Sequence, residues 1–158
     1  MKKIIILLSM MMFSICFSEL VEGDIIGSFN VQTLDGKTAV SSNEILKNKK
    51  NKLLVIAAEW CIHCKREAPI LQKLKNNKKL DVIVIYTSYE SNLNKVNSFL
   101  KANKYTYKSY FDNNNEALEK LEVNGFPHNI LLDANNKIIQ IQEGVIDINK
   151  LNEKLEVK

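Results

Sequence analysis

Two continuous apolar runs, separated by one amphipathic stretch, constrain this chain more than any other feature. Residues 53–58 form the first run, and residues 82–86, in the predicted strand 81–86 that begins with Asp81, form the second. Strands that are apolar on both faces belong to the interior of a parallel sheet with helices on each side. A helix between two such strands implies a right-handed parallel crossover. The two runs therefore predict an α/β fold.

The remaining segments supply the elements that complete such a sheet. Residues 29–34 end at Asp35-Gly36, a dipeptide that favours a hairpin turn, and predict an N-terminal β-hairpin. Strands at 129–132 and 138–142 predict a closing antiparallel pair. The predicted architecture is a central mixed β-sheet flanked by helices. Predicted helices follow a cap at Ser41, begin at Cys61, and cover 93–102, 116–121 and 148–155.

The first eighteen residues have the pattern of a signal peptide. A pair of lysines precedes an apolar run over residues 4–17, which is short for a free-standing transmembrane helix. Small residues before Glu19 suit a cleavage point. We expect residues 1–18 to be a signal peptide, with an uncleaved membrane anchor as the alternative, and residues 19–158 to be one domain. Either arrangement predicts a periplasmic or other extracytoplasmic location.

The charge distribution argues against a nucleic-acid partner. The formal charge of +4 comes from 22 basic and 18 acidic residues scattered along the chain. A nucleic-acid footprint would need lysines and arginines clustered on one face or helix. Some of the five tyrosines could form a surface for a protein partner, although packing inside the fold is the commoner use of such residues: Tyr86, Tyr89, Tyr105, Tyr107 and Tyr110.

The cysteines point to redox chemistry. Loss of a signal peptide would remove Cys16 and leave Cys61 and Cys64 in a compartment that tolerates disulfides. A disulfide between them would close a very small loop and remove little entropy from the unfolded chain, so a structural role explains it poorly. Half of a zinc site is the alternative, although only His63 and His128 could complete it. A metal-binding or peptide-binding module therefore stays open, and no metal is expected.

The position of Cys61 suits a nucleophile. It follows a buried strand and begins a helix, where unpaired backbone N–H groups and the helix dipole favour a thiolate. The thiolate is the species that attacks a disulfide. Cys64, one helical turn later, is placed to attack the mixed disulfide and release the substrate.

Residues 22–146 resemble the thioredoxin-like family of exported TlpA and ResA type thiol-disulfide oxidoreductases. Residues 58–65, Ala-Glu-Trp-Cys-Ile-His-Cys-Lys, are similar to the thioredoxin signature, and Gly125-Phe126-Pro127 is similar to the loop that carries a cis-proline. The resemblance implies a thioredoxin-like fold and no cofactor. It implies exported protein thiols or disulfides as substrates, and a membrane electron donor or acceptor as redox partner.

The resemblance also implies roles for single residues. Glu67 would move protons to or from Cys64, whereas a surface salt bridge with a neighbouring lysine is the alternative. Pro127 would be cis and face the cysteines, and the backbone of Phe126 would pair with an extended substrate segment. Trp60 would pack beside the cysteines or fill the core.

Three residues depart from the family pattern. Val55 stands where thioredoxin has a buried aspartate, Phe126 stands where many relatives have threonine, and His63 stands where reductases usually have proline. A histidine at this position resembles the disulfide-forming relatives and would raise the redox potential. Glu67 favours a reductase of exported proteins, and a disulfide-forming oxidase or isomerase poised by His63 is the alternative.

Overall fold

The computed structural model describes residues 19–156, in which seven strands form one mixed sheet with helices on both faces. The predicted signal peptide at residues 1–18, with Cys16, lies outside the described residues. Among residues 19–156, no helix is long and apolar enough to cross a membrane. The strands are β1 Asn30–Gln32, β2 Ala39–Ser41, β3 Asn51–Ala57, β4 Leu80–Thr87, β5 Lys108–Asp112, β6 His128–Leu132 and β7 Ile138–Glu143. The helices are α1 Ser42–Ile45, α2 Ile62–Leu74, α3 Leu93–Asn103, α4 Glu116–Lys120 and α5 Ile148–Glu156.

The first apolar run forms β3, near the middle of the sheet. The strand order is β2-β1-β5-β4-β3-β6-β7. β3 pairs in parallel with β4 and antiparallel with β6, and all seven of its residues are buried. The predicted parallel strand-helix-strand unit, β3-α2-β4, is confirmed, as is the mixed sheet.

The predicted N-terminal hairpin is also confirmed. β1 and β2 pair antiparallel around a turn in which Gly36 adopts a φ of +72°, a left-handed conformation that glycine accepts without strain. Ser41 caps α1 by accepting a hydrogen bond from the backbone N–H of Asn43. β1 then joins the rest of the sheet through a pairing of Gln32 with Phe111 of β5.

The sequence analysis missed β5. This strand pairs in parallel with β4 and occupies the position between β4 and the hairpin. Its sequence, Lys-Ser-Tyr-Phe-Asp, has neither a continuous apolar run nor an alternating pattern, and only its last two residues are buried. Its neighbours on both sides specify this strand more than its own side chains do.

The two faces of the sheet carry separate apolar layers. On one face, α2, α3 and α5 pack through Leu71, Val96 and Leu151. On the other face, α1 and α4 pack through Ile45 and Ala117. The face covered by α2 is the one that receives the cysteines, since both belong to the same cluster of buried residues as Leu71.

Two tyrosines fill the core on this cysteine-bearing face. Tyr86 lies beside Ala57 in the sheet, where the small alanine leaves room for its ring. The hydroxyl of Tyr86 lies 2.8 Å from that of Tyr107, and both side chains are buried. Packing, not a partner surface, is therefore the use of these two residues.

The hydroxyl pair generates a prediction about stability. Tyr86→Phe or Tyr107→Phe alone should lower the free energy of unfolding by about 1–3 kcal/mol, because the remaining buried hydroxyl loses its partner. The double variant should lose clearly less than the sum of the two single losses. Urea unfolding of the four proteins measures this, with the exposed Tyr89→Phe as control. Additive losses would contradict the prediction.

Candidate active site

Cys61 lies at the junction between β3 and α2. It is the N-cap of α2, with an extended backbone, and its side chain makes no capping hydrogen bond. The first backbone N–H groups of α2 and the positive end of the helix dipole are therefore beside its sulfur. Cys61 and Cys64 are both buried free thiols in this structure.

The loop carrying Pro127 contacts Cys61. The Phe126–Pro127 peptide bond is cis, as expected from the resemblance. The thiol of Cys61 donates a hydrogen bond of 3.5 Å to the backbone oxygen of Phe126. The backbone N–H of Gly144 donates to the oxygen of Pro127 at 2.8 Å, which ties this loop to the end of β7.

Cys64 lies behind Cys61 and has a different environment. The backbone N–H of Ala58 lies 3.5 Å from its sulfur. Burial raises the pKa of the Cys64 thiol far above its usual value, and the neighbouring Cys61 and Glu67 raise it further. Cys64 is therefore a neutral thiol near pH 7 and needs a proton acceptor before it can attack a disulfide.

Glu67 is a buried carboxyl on α2, one turn after Cys64. Its side chain is 1% exposed. Its Oε1 accepts hydrogen bonds from the backbone N–H of Ile146 at 2.8 Å and from Nδ2 of Asn129 at 3.0 Å, while Oε2 is buried without a partner among the described residues. Burial raises the pKa of Glu67 to about 7, and the two hydrogen bonds partly oppose that shift. The alternative of a surface salt bridge with lysine is wrong.

Trp60 forms an exposed aromatic surface beside Cys61 and does not fill the core. Its side chain is 40% exposed. Its ring packs edge-on against Phe126, with centroids 5.9 Å apart, and contacts Tyr89 at 6.2 Å. Its Nε1–H donates a hydrogen bond of 3.0 Å to the backbone oxygen of Tyr89. The indole is thus held in one orientation at the rim of the site.

Several polar residues that the sequence analysis did not single out support this arrangement. Ser91 donates a hydrogen bond of 2.6 Å to the buried carboxylate of Glu59. The hydroxyls of Thr87 and Ser88 both donate to Oδ1 of Asn115, at 2.8 and 2.9 Å. These contacts fix the loop after β4, which carries Tyr89. The sequence feature that could have identified these residues is the presence of polar side chains beside or within otherwise apolar segments.

The two histidines have different environments. The side chain of His63 is exposed on the first turn of α2 and makes no hydrogen bond or ion pair among the described residues. His128 follows Pro127 and is buried, with its Nδ1 3.9 Å from Oε1 of Glu143. Burial lowers the pKa of His128. Within residues 19–156, no three His, Cys, Asp or Glu side chains lie close enough together to hold a metal ion.

Comparisons with known proteins identify the family and structures of similar fold. Residues 22–155 match the family model described as Redoxin. StoA from Bacillus subtilis is similar in structure, with 23% identity, a TM-score of 0.68, and coverage of 84% of this chain and 98% of StoA. The thioredoxin domain of a thiol-disulfide oxidoreductase from Bacteroides vulgatus has 23% identity, a TM-score of 0.72, and coverage of 86% and 98%.

A secreted disulfide oxidoreductase from Mycobacterium tuberculosis is also similar, with 17% identity, a TM-score of 0.68, and coverage of 82% of this chain and 96% of that one. None of the curated proteins matches the sequence. At these identities the structural likeness concerns the fold, which is thioredoxin-like.

Glu67 generates a prediction about pH. Its pKa is about 7 in the folded chain, against 4.5 as its ordinary value. The stability that its proton provides is therefore fully present below pH 4.5 and is lost as the pH rises through about 7. Glu67→Gln mimics the protonated form. Relative to the parent it should gain up to about 3 kcal/mol in unfolding free energy between about pH 4 and pH 8, at about 1.4 kcal/mol per pK unit.

Urea unfolding across this pH range measures the difference between variant and parent. Glu153→Gln, on the exposed face of α5, is the matched control and should show no such trend. A Glu67→Gln difference that stays constant with pH would contradict a raised pKa.

Proposed function

The chain belongs to the Redoxin family and is a thiol-disulfide oxidoreductase, and we propose that it works outside the cytoplasm as a reductase of disulfides in exported proteins. The observation that carries the proposal is the pairing of Cys61 with the loop of Pro127. The Cys61 thiol lies at a helix N-terminus and donates a hydrogen bond to the backbone oxygen of Phe126. An extended substrate segment could take the place of that contact and bring its disulfide to Cys61.

In the first step, the Cys61 thiolate attacks one sulfur of the substrate disulfide. A bond forms between Cys61 Sγ and that sulfur, and the other substrate sulfur leaves as a thiolate. The helix N-terminus stabilises the attacking anion before the step. Phe126 and Pro127 would orient the substrate backbone beside Cys61, and Trp60 would limit its approach from one side.

In the second step, Cys64 loses its proton and attacks Cys61 Sγ. The product is a Cys61–Cys64 disulfide, and the second substrate sulfur leaves as a thiolate. We assign the proton to Glu67, since a carboxyl with a pKa of about 7 is partly ionised near neutral pH. The negative charge of Glu67 disfavours a negative charge on Cys64. Transfer of the proton from Cys64 to Glu67 neutralises the carboxylate as the Cys64 thiolate forms.

The direction of electron flow rests on the contacts of the two cysteines. Strong oxidants have a stabilised reduced form, in which a thiolate gains specific contacts. His63 makes no such contact among the described residues, and Cys64 lies where its anion is disfavoured. Both observations favour a reductase over the alternative of an oxidase or isomerase poised by His63.

The proposed location rests on the N-terminal pattern and on one relative. Residues 1–18 have the features of a signal peptide, and the similar oxidoreductase of Mycobacterium tuberculosis is secreted. A reductase in that setting needs a source of electrons, and we propose a membrane electron donor that reduces the Cys61–Cys64 disulfide after each turnover.

Single cysteine variants test the exchange chemistry. Cys61→Ser should abolish reduction of insulin, because it removes the attacking thiolate. Cys64→Ser should also stop turnover but retain the substrate as a mixed disulfide on Cys61, visible by mass spectrometry. A Cys61→Ser protein that is as active as the parent, or a protein whose thiols are blocked by stoichiometric zinc or copper, would favour the metal-binding or peptide-binding alternative.

The redox potential of the cysteine pair tests the direction. Equilibration with glutathione should give a value nearer to that of thioredoxin, about −270 mV, than to that of DsbA, about −120 mV. His63→Pro should shift the potential by less than about 30 mV, the equivalent of one contact of about 1.4 kcal/mol, because His63 makes no such contact among the described residues. Proline is tolerated in a first helical turn, and Arg66→Gln, at a nearby exposed position of α2, is the control. A parent value near DsbA would overturn the reductase proposal.

A further inference from the structure

A shallow, open groove lies beside Trp60, between the first turns of α2 and α3. Its apolar surface comes from the rings of Trp60 and Phe99, and Lys65 and Lys95 lie on its two sides. Asn92 and Ser98 contribute polar groups. Trp60 directly precedes Cys61, so the groove begins beside the reactive thiol and lies within reach of a segment bound there.

The residues that line the groove carry more positive than negative charge, with two lysines and one glutamate. Lys65 and Lys95 are exposed, and neither forms a salt bridge within residues 19–156. Lys108, by contrast, is paired with Asp81 at 2.6 Å. Neither helix has an acidic residue in its first turn, so both positive helix ends act in the same direction as the lysines.

Of the two glutamates in this region, Glu59 lines the groove and Glu90 lies beside Lys95. Glu59 is 8% exposed, and its Oε2 accepts the hydrogen bond from Ser91. Glu90 contacts Lys95 through its backbone oxygen, at 3.4 Å from the ammonium nitrogen. Among the lining residues, one buried carboxylate, bound to a hydroxyl, is therefore set against two exposed ammonium groups.

The aromatic wall of the groove is fixed before any substrate arrives. Tyr89 is 52% exposed, yet its backbone oxygen holds the indole of Trp60. Exposed aromatic rings held in one conformation bind a partner with little loss of side-chain entropy. Rigid aromatic surface next to unpaired cations suits a peptide that carries a carboxylate.

We propose that this groove selects substrate segments with an acidic side chain close to the reactive cysteine, with Lys65 and Lys95 as the specificity-determining residues. The inference rests on the proposed function and names its substrate class. Lys65 lies one helical turn from Cys61, and an extended peptide advances about 3.4 Å per residue. The acidic residue would therefore lie about two to four positions from the substrate cysteine.

Three synthetic peptides test the inference. Each is blocked as a mixed disulfide with the neutral thiol 2-mercaptoethanol, and they differ only in carrying Asp, Asn or Lys three positions from the cysteine. The reduced full chain is mixed with each peptide. The rate is followed by the fluorescence of Trp60, the single tryptophan, as Cys61 and Cys64 are oxidised. The Asp peptide should react about tenfold faster than the Lys peptide at low ionic strength, and the ratio should fall as salt is added.

Charge variants locate the effect. Lys65→Gln with Lys95→Gln should bring the ratio of Asp to Lys rates to about one, and Lys65→Glu with Lys95→Glu should invert it. Lys73→Glu with Lys101→Glu changes the net charge by as much as the Lys65→Glu and Lys95→Glu pair does, but on the last turns of α2 and α3, and should keep the parent ratio. Taking a ratio cancels any change in the intrinsic reactivity of Cys61.

Each outcome is decisive. Equal rates for the three peptides, or equal effects of the near and far charge changes, would overturn the acidic preference and leave the proposed function standing. Failure of the parent to react with any of the peptides would contradict the proposed function, and this inference with it.

Discussion

The position of β3, buried on both faces and hydrogen-bonded to a neighbour on each side, determines where the chemistry can occur. Because β4 and β6 fix the strand along its length, the chain leaves the sheet at Ala57 in a defined direction. α2 must then begin close to the carboxyl end of β3 in order to cover the apolar face that β3 presents. Cys61 is the residue at that turn, so its place at the helix N-terminus follows from the packing of the core.

Glu67 links that helix to the rest of the site. One of its two oxygens, Oε1, accepts hydrogen bonds from the side chain of Asn129 in β6 and from the backbone N–H of Ile146, which precedes α5. Three separate parts of the chain therefore meet at one buried carboxyl. Such a group costs stability when it is charged, and that cost is the same property that gives it a pKa suited to proton transfer near neutral pH. Cys61 and Cys64, although one turn apart, lie on the two sides of this arrangement, with Cys61 toward the cis-proline loop and Cys64 toward the interior.

Much of this organisation could be predicted from local sequence. Continuous apolar residues identified β3 and β4, helical periodicity identified α2 and α3, and Cys61 could be placed at a helix start from its neighbours alone. β5 could not, because a five-residue strand with a polar first half gains its conformation from β1 and β4. The contacts of Glu67 with Asn129, and of Trp60 with Tyr89, join residues far apart in sequence. Spacing along the sequence does not predict such contacts. For the same reason the sequence did not decide whether Trp60 packs beside the cysteines or fills the core.

The order of the strands has a consequence for the way the chain assembles. The hairpin of β1 and β2 comes early in the chain, but its strand pairing with the rest of the sheet, Gln32 with Phe111, needs β5. β3 likewise meets β6 only after residue 128. A chain that is synthesised from its N-terminus therefore cannot complete the sheet until most of its residues have left the ribosome. Its assembly is dominated by contacts between distant segments, a property associated with slow folding. During that interval, β4 lacks β5 and β3 lacks β6, and strands with unpaired edges of this kind can associate with other chains.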